Sequence, residues 1–413
     1  MSTISYSNRN EKFCLELDRV KLLLQKAGNP DKELSIIHVA GTNGKGSVCA
    51  FIEAGIKSQK IRCGRFSSPE LFSSEDTITV DGVCIGKRAL GNIVNSLAPL
   101  CSEVEKELGK PPSPFEILFV AALIHFKKKN CKKVILECGM GGVGDATNAI
   151  ETSDMVVLTN IDLDHAEYLG KTVREIAKNK CGIMRYGKKV FSAVQKIEAQ
   201  EVIIEECKKN KCELGFVNEC KILSMDFLNV VTNIGYGKQR LSLAGVHQAR
   251  NAALAVMVLR AMDIGEKHII HALTHAVNRA RLEEIAPSAY FDGAHNPAGV
   301  RSLVRTINAA ELGGKLIFAV GFMADKDISG CLDELKKLNN KNFEIYTYPV
   351  LTNPRSETGE NIKKLAQQKG FEAKSFSNIS KAVASARRVS DTVFVFGSLY
   401  VYKELVNKDG SLK

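Results

Sequence analysis

The sequence predicts an α/β protein of two domains, built from apolar strands that alternate with helices. Three observations predict it. A short apolar run, LSIIHVAG (34–41), leads through a glycine-rich loop into a helix-like segment, SVCAFIEAGIKSQ. Two further apolar runs, KKVILECGMG (132–141) and DMVVLTNIDLDH (154–165), end in glycines and polar residues. Four more of the same kind follow between 288 and 400. Near-continuous apolar strands belong in parallel sheets covered on both faces, and 413 residues are more than one core usually fills.

In chain order, FCLELDRVKLLLQKAG (13–28) has helical periodicity and stops at Gly28, with Pro30 two residues on. Strand 34–41, the glycine loop and the helix after it make one strand–loop–helix unit. FKKKNCKKV (126–134) reads as a solvated helix end and turn between an apolar helix and the strand at 132–141. REIAKNKCGIMR (174–185) is helix-like. After the polar stretch HAVNRARLEEIAPS come SAYFDGAHNP, KLIFAVGFMADKD, NFEIYTYPV and DTVFVFGSLY, each a strand ending in turn or polar residues. The expected domains are therefore 1–277 and 281–413, with the hinge at 277–280. No internal repeat is visible.

Composition narrows the function classes. Apolar residues make up 45% and charged residues 25%, which is ordinary for a folded globular chain. No apolar run approaches the roughly 20 residues of a membrane span, and the start MSTISYSNRNEKF lacks the apolar centre of a secretory signal, so a cytoplasmic location is expected. The twelve cysteines include no CxxC pair and read as reduced thiols. The net charge of +11 favours anionic partners, but the densest basic run carries one aromatic, so nucleic acid is not the expected partner.

The loop GTNGKGS asks what a lysine does among glycines. Gly41, Gly44 and Gly46 permit close backbone approach, while Lys45 and Ser47 add a cation and a hydroxyl at a helix start. That suits a polyphosphate with Mg²⁺, although Gly46 separates the lysine from the hydroxyl and departs from the usual P-loop spacing. The bland alternative is a glycine-rich turn. In ECGMGGVGDATN (137–148), Glu137 at a strand end suits Mg²⁺, whereas Asp145 suits either that role or a helix cap. His165 at the next strand end is either a ligand or a structural histidine. Lys180, on its own, reads as a surface lysine.

Taken together, HVAGTNGKGS, SSPEL, FEILFVAALIHF, ECGMGGVGDATN, NIDLDHAEYLGKT, IAKNKCGI, LAGVHQARNA, RARLEE, DGAHNP, ADKD and FGSLY occur in an order that resembles the Mur ligase superfamily, and within it the folylpolyglutamate synthase and dihydrofolate synthase family. The resemblance implies a three-layer P-loop ATP-binding domain followed by a Rossmann-like domain. It implies an ATP-dependent amide ligase that adds L-glutamate to a reduced folate or to dihydropteroate. Carried over, Gly41, Thr42, Asn43, Gly44, Lys45, Gly46 and Ser47 hold the ATP phosphates, and Asn251, Arg281 and Asp292 contact the nucleotide. Ser47, Ser68, Glu137 and His165 form the magnesium ligand set. Lys45, Lys180 and His295 stand near the reacting groups, and Lys180 matches a lysine the family often carbamylates. A monomer with small-molecule substrates and no membrane partner is expected.

This chain departs from the family pattern where Glu70 replaces a histidine, Glu75-Asp76 a Glu-Arg pair, Asn179 a glutamate, Asn278 a tryptophan and Ala280 a glycine. The 68–76 loop approaches the pterin in relatives, so Glu70 and Asp76, acidic where the family has histidine and arginine, are expected to alter the substrate. Two alternatives stand beside the ligase: a Mur-type ligase for another acceptor, and a nucleotide-binding homologue without catalysis.

Overall fold

The computed structural model describes residues 16–217, 220–226 and 228–413. Two compact units emerge, one running to Cys220 and including Arg250–Ala276, the other made of Lys221–Ala249 and Val277–Lys413. The sequence suggests a single division at 277–280. The grouping of Lys221–Ala249 with the later residues is invisible there, because its strands are short and two of the three are largely exposed.

The first unit carries an eight-stranded sheet: β1 (Ile36–Ala40), β2 (Cys63–Phe66), β3 (Ile78–Val80), β4 (Val83–Cys84), β5 (Lys133–Glu137), β6 (Met155–Leu158), β7 (Lys189–Ser192) and β8 (Glu213–Phe216). Their order is β4-β3-β2-β5-β1-β6-β7-β8. All neighbours are parallel except the pairs that involve β3 and β4. The expected strands at 34–41, 132–141 and 154–165 are β1, β5 and β6. Its helices are α1 (Asp18–Lys26), α2 (Lys45–Ser58), α3 (Lys87–Leu108), α4 (Pro114–Lys128), α5 (Ala166–Leu169), α6 (Val173–Cys181), α7 (Ile197–Lys209), most of α8 (Gln248–Ala261) and α9 (Glu266–His275). Residues 13–15 of the expected first helix lie outside the described residues.

Strand alternation divides the helices into two layers. Ile36, Val134 and Leu136 join one core with residues of α1, α3 and α4, and Ala40, Val156 and Leu158 join another with α6 and α7. The opposite face takes α2, which packs on α9 and on Leu259 of α8. Helix α4 starts at a capping box of Ser113 and Glu116 with Pro114 in its first turn, and Leu118 to Leu123 are all buried. An all-round apolar helix is stable only when sandwiched in this way, and each large side chain it buries contributes about 1.5–3 kcal/mol.

One buried charge interrupts the α2 face. Arg65 of β2 donates to Glu53 of α2 at 2.9 Å, and Glu53 also accepts from Thr79 Oγ1 and the Gly82 amide. Arg65 Nε has no hydrogen-bond partner among the described residues.

The second unit holds a three-stranded antiparallel sheet, β9 (Lys221–Met225), β10 (Val230–Asn233) and β11 (Lys238–Arg240). It also holds a six-stranded sheet of β12 (Glu283–Ala286), β13 (Ala289–Phe291), β14 (Leu316–Val320), β15 (Phe343–Thr347), β16 (Ala373–Ser375) and β17 (Thr392–Phe396), in the order β12-β13-β17-β14-β15-β16. Only β12 runs antiparallel to its neighbour. The four expected strands are β13, β14, β15 and β17. Phe318 and Phe394 stack at 5.5 Å in its core. Among the described residues no helix is long and apolar enough to cross a membrane.

The Glu53–Arg65 pair yields a stability prediction. Glu53→Ala strands a buried guanidinium and should cost about 3–5 kcal/mol in urea unfolding, whereas replacing both partners by apolar residues of similar volume should recover most of that loss. Equal losses for the single and double variants would contradict it.

Candidate active site

The candidate residues of the first unit gather at one edge of its sheet because they follow the carboxyl ends of four adjacent parallel strands. Ser68 follows β2, Glu137 ends β5, Ser47 lies beyond β1, and His165 lies beyond β6. That edge is where open α/β sheets bind ligands.

The glycine loop turns from β1 into α2 through Gly44, whose left-handed backbone caps the helix. Lys45, Gly46 and Ser47 form the first turn of α2, and a helix start of this kind favours an anion. The loop cannot carry side chains at its glycines. A Cβ on Gly41 would lie 1.8 Å from Thr159 Oγ1, and one on Gly44 2.5 Å from Asn251 Oδ1. Asn251 is thus brought against the loop.

The segment after β6 is laced to the same loop. The Thr42 and Asn43 amides donate to the Asn160 carbonyl at 2.8 and 3.3 Å, Thr42 Oγ1 donates to the Asp162 carbonyl, and Lys196 pairs with Asp162 at 2.7 Å. His165 then caps α5 with a left-handed backbone of φ 51°.

Lys180 is not on the surface. It is 3% exposed, and its Nζ donates to the Gly41 carbonyl at 2.9 Å. Lys45 Nζ donates to that oxygen too, at 3.1 Å. Burial first, and then the positive charge of Lys45, pull the Lys180 pKa from the ordinary 10.5 down to about 7. Its amine is therefore substantially neutral at physiological pH. The neighbouring Asn179 presents a buried Oδ1 without a hydrogen-bond partner among the described residues.

Glu137 is 5% exposed, and Ser47 2%. A Cβ on Gly139 would touch both Ser68 Oγ and Asp145 Oδ2 at 3.4 Å, so the Ser68 hydroxyl lies beside the segment that follows Glu137. One carboxylate, two hydroxyls and an imidazole on adjacent strand ends fit a hard cation held largely by water and phosphate, as Mg²⁺ is, rather than by a protein cage. Asp145 takes the capping role: it accepts from the Met140 and Thr147 amides and from the Thr147 hydroxyl. Asp76, expected to repel substrate, accepts from the Phe72 and Ser73 amides and closes a capping box, while Ser74 Oγ donates to Glu70 at 3.2 Å.

Sequence reasoning missed His38. Fully buried, it lies 2.9 Å from Thr147 Oγ1 and 3.2 Å from Cys138 Sγ, and burial pushes its pKa down to about 3, so it is a neutral brace beneath the loop. Its place inside an apolar strand gave no signal beyond its polarity.

In the second unit, Asp292 follows β13 and accepts from the Leu282 and Ala294 amides at 2.9 and 2.8 Å. Both oxygens thereby fix backbone, with lone pairs left over for a ligand. Arg281 lies across Gly293, where a Cβ would meet its Nη1 at 1.8 Å. His295 Nδ1 donates to the Gly293 carbonyl at 2.8 Å, and Asn296 caps the following helix.

A pH experiment checks the state of Lys180. Between about 7 and 10.5 the unfolded chain binds the Lys180 proton and the folded chain does not, so this group makes stability rise with pH across that window. Lys180→Met should be stabilised relative to the parent at pH 6, and the difference should shrink toward pH 10. A pH-independent difference in unfolding free energy would rule out the lowered pKa.

Comparison with known proteins agrees with this arrangement. Residues 39–259 match the Mur ligase middle domain, and residues 279–399 the Mur ligase glutamate ligase domain. The dihydrofolate synthase/folylpolyglutamate synthase of Escherichia coli is 30% identical, over 94% of this chain and 89% of its own. That of Bacillus subtilis is 28% identical over 94% of each chain. The structure of Mycobacterium tuberculosis folylpolyglutamate synthase complexed with ADP superposes with a TM-score of 0.87 at 26% identity, covering 96% of this chain and 95% of the other. A bifunctional folylpolyglutamate synthase/dihydrofolate synthase with Mn, AMPPNP and L-glutamate bound gives 0.82 at 27%, covering 97% and 95%. With the glycine loop, the strand-end carboxylate and both matched domains in one chain, this protein belongs to the folylpolyglutamate synthase and dihydrofolate synthase family of the Mur ligases.

Proposed function

We propose that the chain is an ATP-dependent ligase that joins L-glutamate to the carboxylate of a reduced folate, of dihydropteroate, or of both, through an acyl phosphate. The observation that carries this reading is the single sheet edge where the glycine loop, Glu137 and the buried Lys180 meet, in a chain whose relatives over nearly its whole length are folylpolyglutamate and dihydrofolate synthases. The reading assigns the ATP phosphates to the glycine loop of the first unit and makes the protein a cytoplasmic monomer acting on small molecules.

A carboxylate is a poor electrophile, so an acceptor carboxylate oxygen first takes the γ-phosphoryl group and ADP leaves. The glutamate amine then attacks the acyl carbon, phosphate departs and the amine loses a proton. Such chemistry asks the protein for position and charge neutralisation more than for covalent participation. Gly41 to Ser47 wrap the phosphates, Lys45 neutralises them, and Asn251 and Asp292 contact the nucleotide. Ser47, Ser68, Glu137 and His165 would hold Mg²⁺, which supplies Lewis-acid neutralisation of the phosphate oxygens. Arg281 offers its guanidinium to the transferring group, and His295 stands near the reacting atoms.

Lys180 acts, in this reading, as a carbamate. Its neutral amine attacks CO₂, a C–N bond forms, one proton leaves, and a buried cation becomes an anion beside the glycine loop. The lowered pKa is the condition this reaction requires.

Purified protein with ATP, Mg²⁺ and glutamate should release phosphate when given dihydropteroate or tetrahydrofolate in separate assays; release with neither would defeat the proposal. Lys45→Ala should lower turnover at least about a hundredfold with an unchanged melting curve, since preorganised charge near a transferring group has that magnitude. Retained activity within a few-fold would remove the phosphate role. Lys180→Ala should lose most activity and regain part of it with millimolar acetate, whereas Lys180→Arg should not be rescued. Carbon-13 bicarbonate should label the parent at a lysine carbamate by NMR, and no labelled signal at pH 8 would refute the carbamate.

A further inference from the structure

Arg281 sits in a turn that its own sequence resists. Both neighbours adopt left-handed backbone, Ala280 at φ 59° and Leu282 at φ 45°, a region that disfavours residues with a Cβ and most of all a branched, bulky one. Adjacent strain of this kind persists only where surrounding contacts over-determine it, and it concentrates at functional positions. The contacts are identifiable. The Ala280 amide donates to Glu283 Oε2 at 2.6 Å, the Ala280 carbonyl accepts from the Gly293 amide at 2.9 Å, and the Leu282 amide donates to Asp292 at 2.9 Å.

Glu283 is in turn held from far along the chain. The hydroxyl of Tyr402 lies 2.9 Å from both of its carboxylate oxygens, across 119 residues of sequence. Tyr402 is 0% exposed, and its ring meets Phe291 of β13 edge-on at 5.0 Å. Arg279 donates to the same carboxylate at 3.3 Å, lies over the Tyr402 ring, and donates to the Lys408 carbonyl at 2.8 Å. The phenol on this carboxylate is a charge-assisted bond, and without it Glu283 keeps Arg279 and the Ala280 amide but loses the contact that fixes its orientation.

We propose that Tyr402 is a positioning residue for catalysis: through Glu283 it clasps the strained 280–282 turn and so fixes the Arg281 guanidinium across Gly293 in the orientation that serves phosphoryl transfer. The inference rests on the role given to Arg281 above, and it assigns a catalytic consequence to the last residues of the chain. Tyr402 itself touches no reacting atom. Its hydroxyl matters because Glu283 has a second job, holding the Ala280 amide, and a carboxylate free to rotate would release the turn.

A double-variant cycle on the full-length enzyme tests this. Tyr402→Phe removes one oxygen and should lower kcat/KM roughly tenfold, the size of one lost charge-assisted hydrogen bond, with a melting temperature close to that of the parent. Arg281→Ala should lose more. The double variant should be no worse than Arg281→Ala alone, because Tyr402 acts only through that guanidinium, whereas a loss by partial unfolding would multiply with it. Multiplying losses, or parental activity in Tyr402→Phe, would overturn the clasp while leaving the role of Arg281 standing. Parental activity in Arg281→Ala would overturn both. If Tyr402→Phe folds poorly, Glu283→Gln, which weakens the acceptor but keeps its shape, should give the same non-multiplying pattern with Arg281→Ala, and multiplying losses there would equally overturn the clasp.

Discussion

The carbonyl oxygen of Gly41 receives two lysines, Lys45 at 3.1 Å and Lys180 at 2.9 Å, and the organisation of the first unit follows from that crowded acceptor. Two ammonium groups on one oxygen repel, and the more deeply buried of them, Lys180, holds its proton less firmly. Gly41 must be glycine for the loop to reach this position against Thr159. The Asn160 and Asp162 carbonyls hold Thr42 and Asn43 in register behind it. In the proposed function the phosphates go here, since Lys45 and the start of α2 lie at the same strand edge as Glu137.

The buried polar groups around this acceptor divide into those that hold the scaffold and those with capacity left for ligand. Asp145 and His38 spend their bonds on the protein: the first caps the turn after β5, and the second ties β1 to that turn through Thr147. Asp292 in the second unit does both, bonding the Leu282 and Ala294 amides while keeping lone pairs for a ligand. Such groups rigidify the frame, and precise positioning is what a reaction through an acyl phosphate most needs.

Much of this was legible in the sequence, and what escaped has a common cause. Strands β1, β5, β6, β13, β14, β15 and β17 stand out as apolar runs that end in turn or polar residues, because parallel strands are buried on both faces and their ends open onto the site. The glycine loop and Glu137 stood out for the same reason. Strand β2, with the sequence CGRF, carried a buried arginine whose partner Glu53 lies on a helix, so its local pattern did not read as a strand. Strands β9 to β11 are only three to five residues long and lack the near-continuous apolar runs of the parallel strands. Residue type alone does not reveal which long-range partner consumes a side chain: Asp76 reads as a repulsive charge and is a cap, Lys180 reads as exposed and is buried, and Glu283 and Tyr402 meet across 119 residues of sequence.

The central claim is that the acceptor carboxylate is activated as an acyl phosphate at this site, and isotope transfer tests it most directly. An acceptor labelled with oxygen-18 in its reacting carboxylate is incubated with the protein, ATP, Mg²⁺ and L-glutamate, and the products are analysed by mass spectrometry. The released inorganic phosphate should carry an oxygen-18 atom from the acceptor, because the bridging oxygen leaves with phosphorus when the amine attacks carbon. Label appearing in AMP, or amide product formed with wholly unlabelled phosphate, would contradict it.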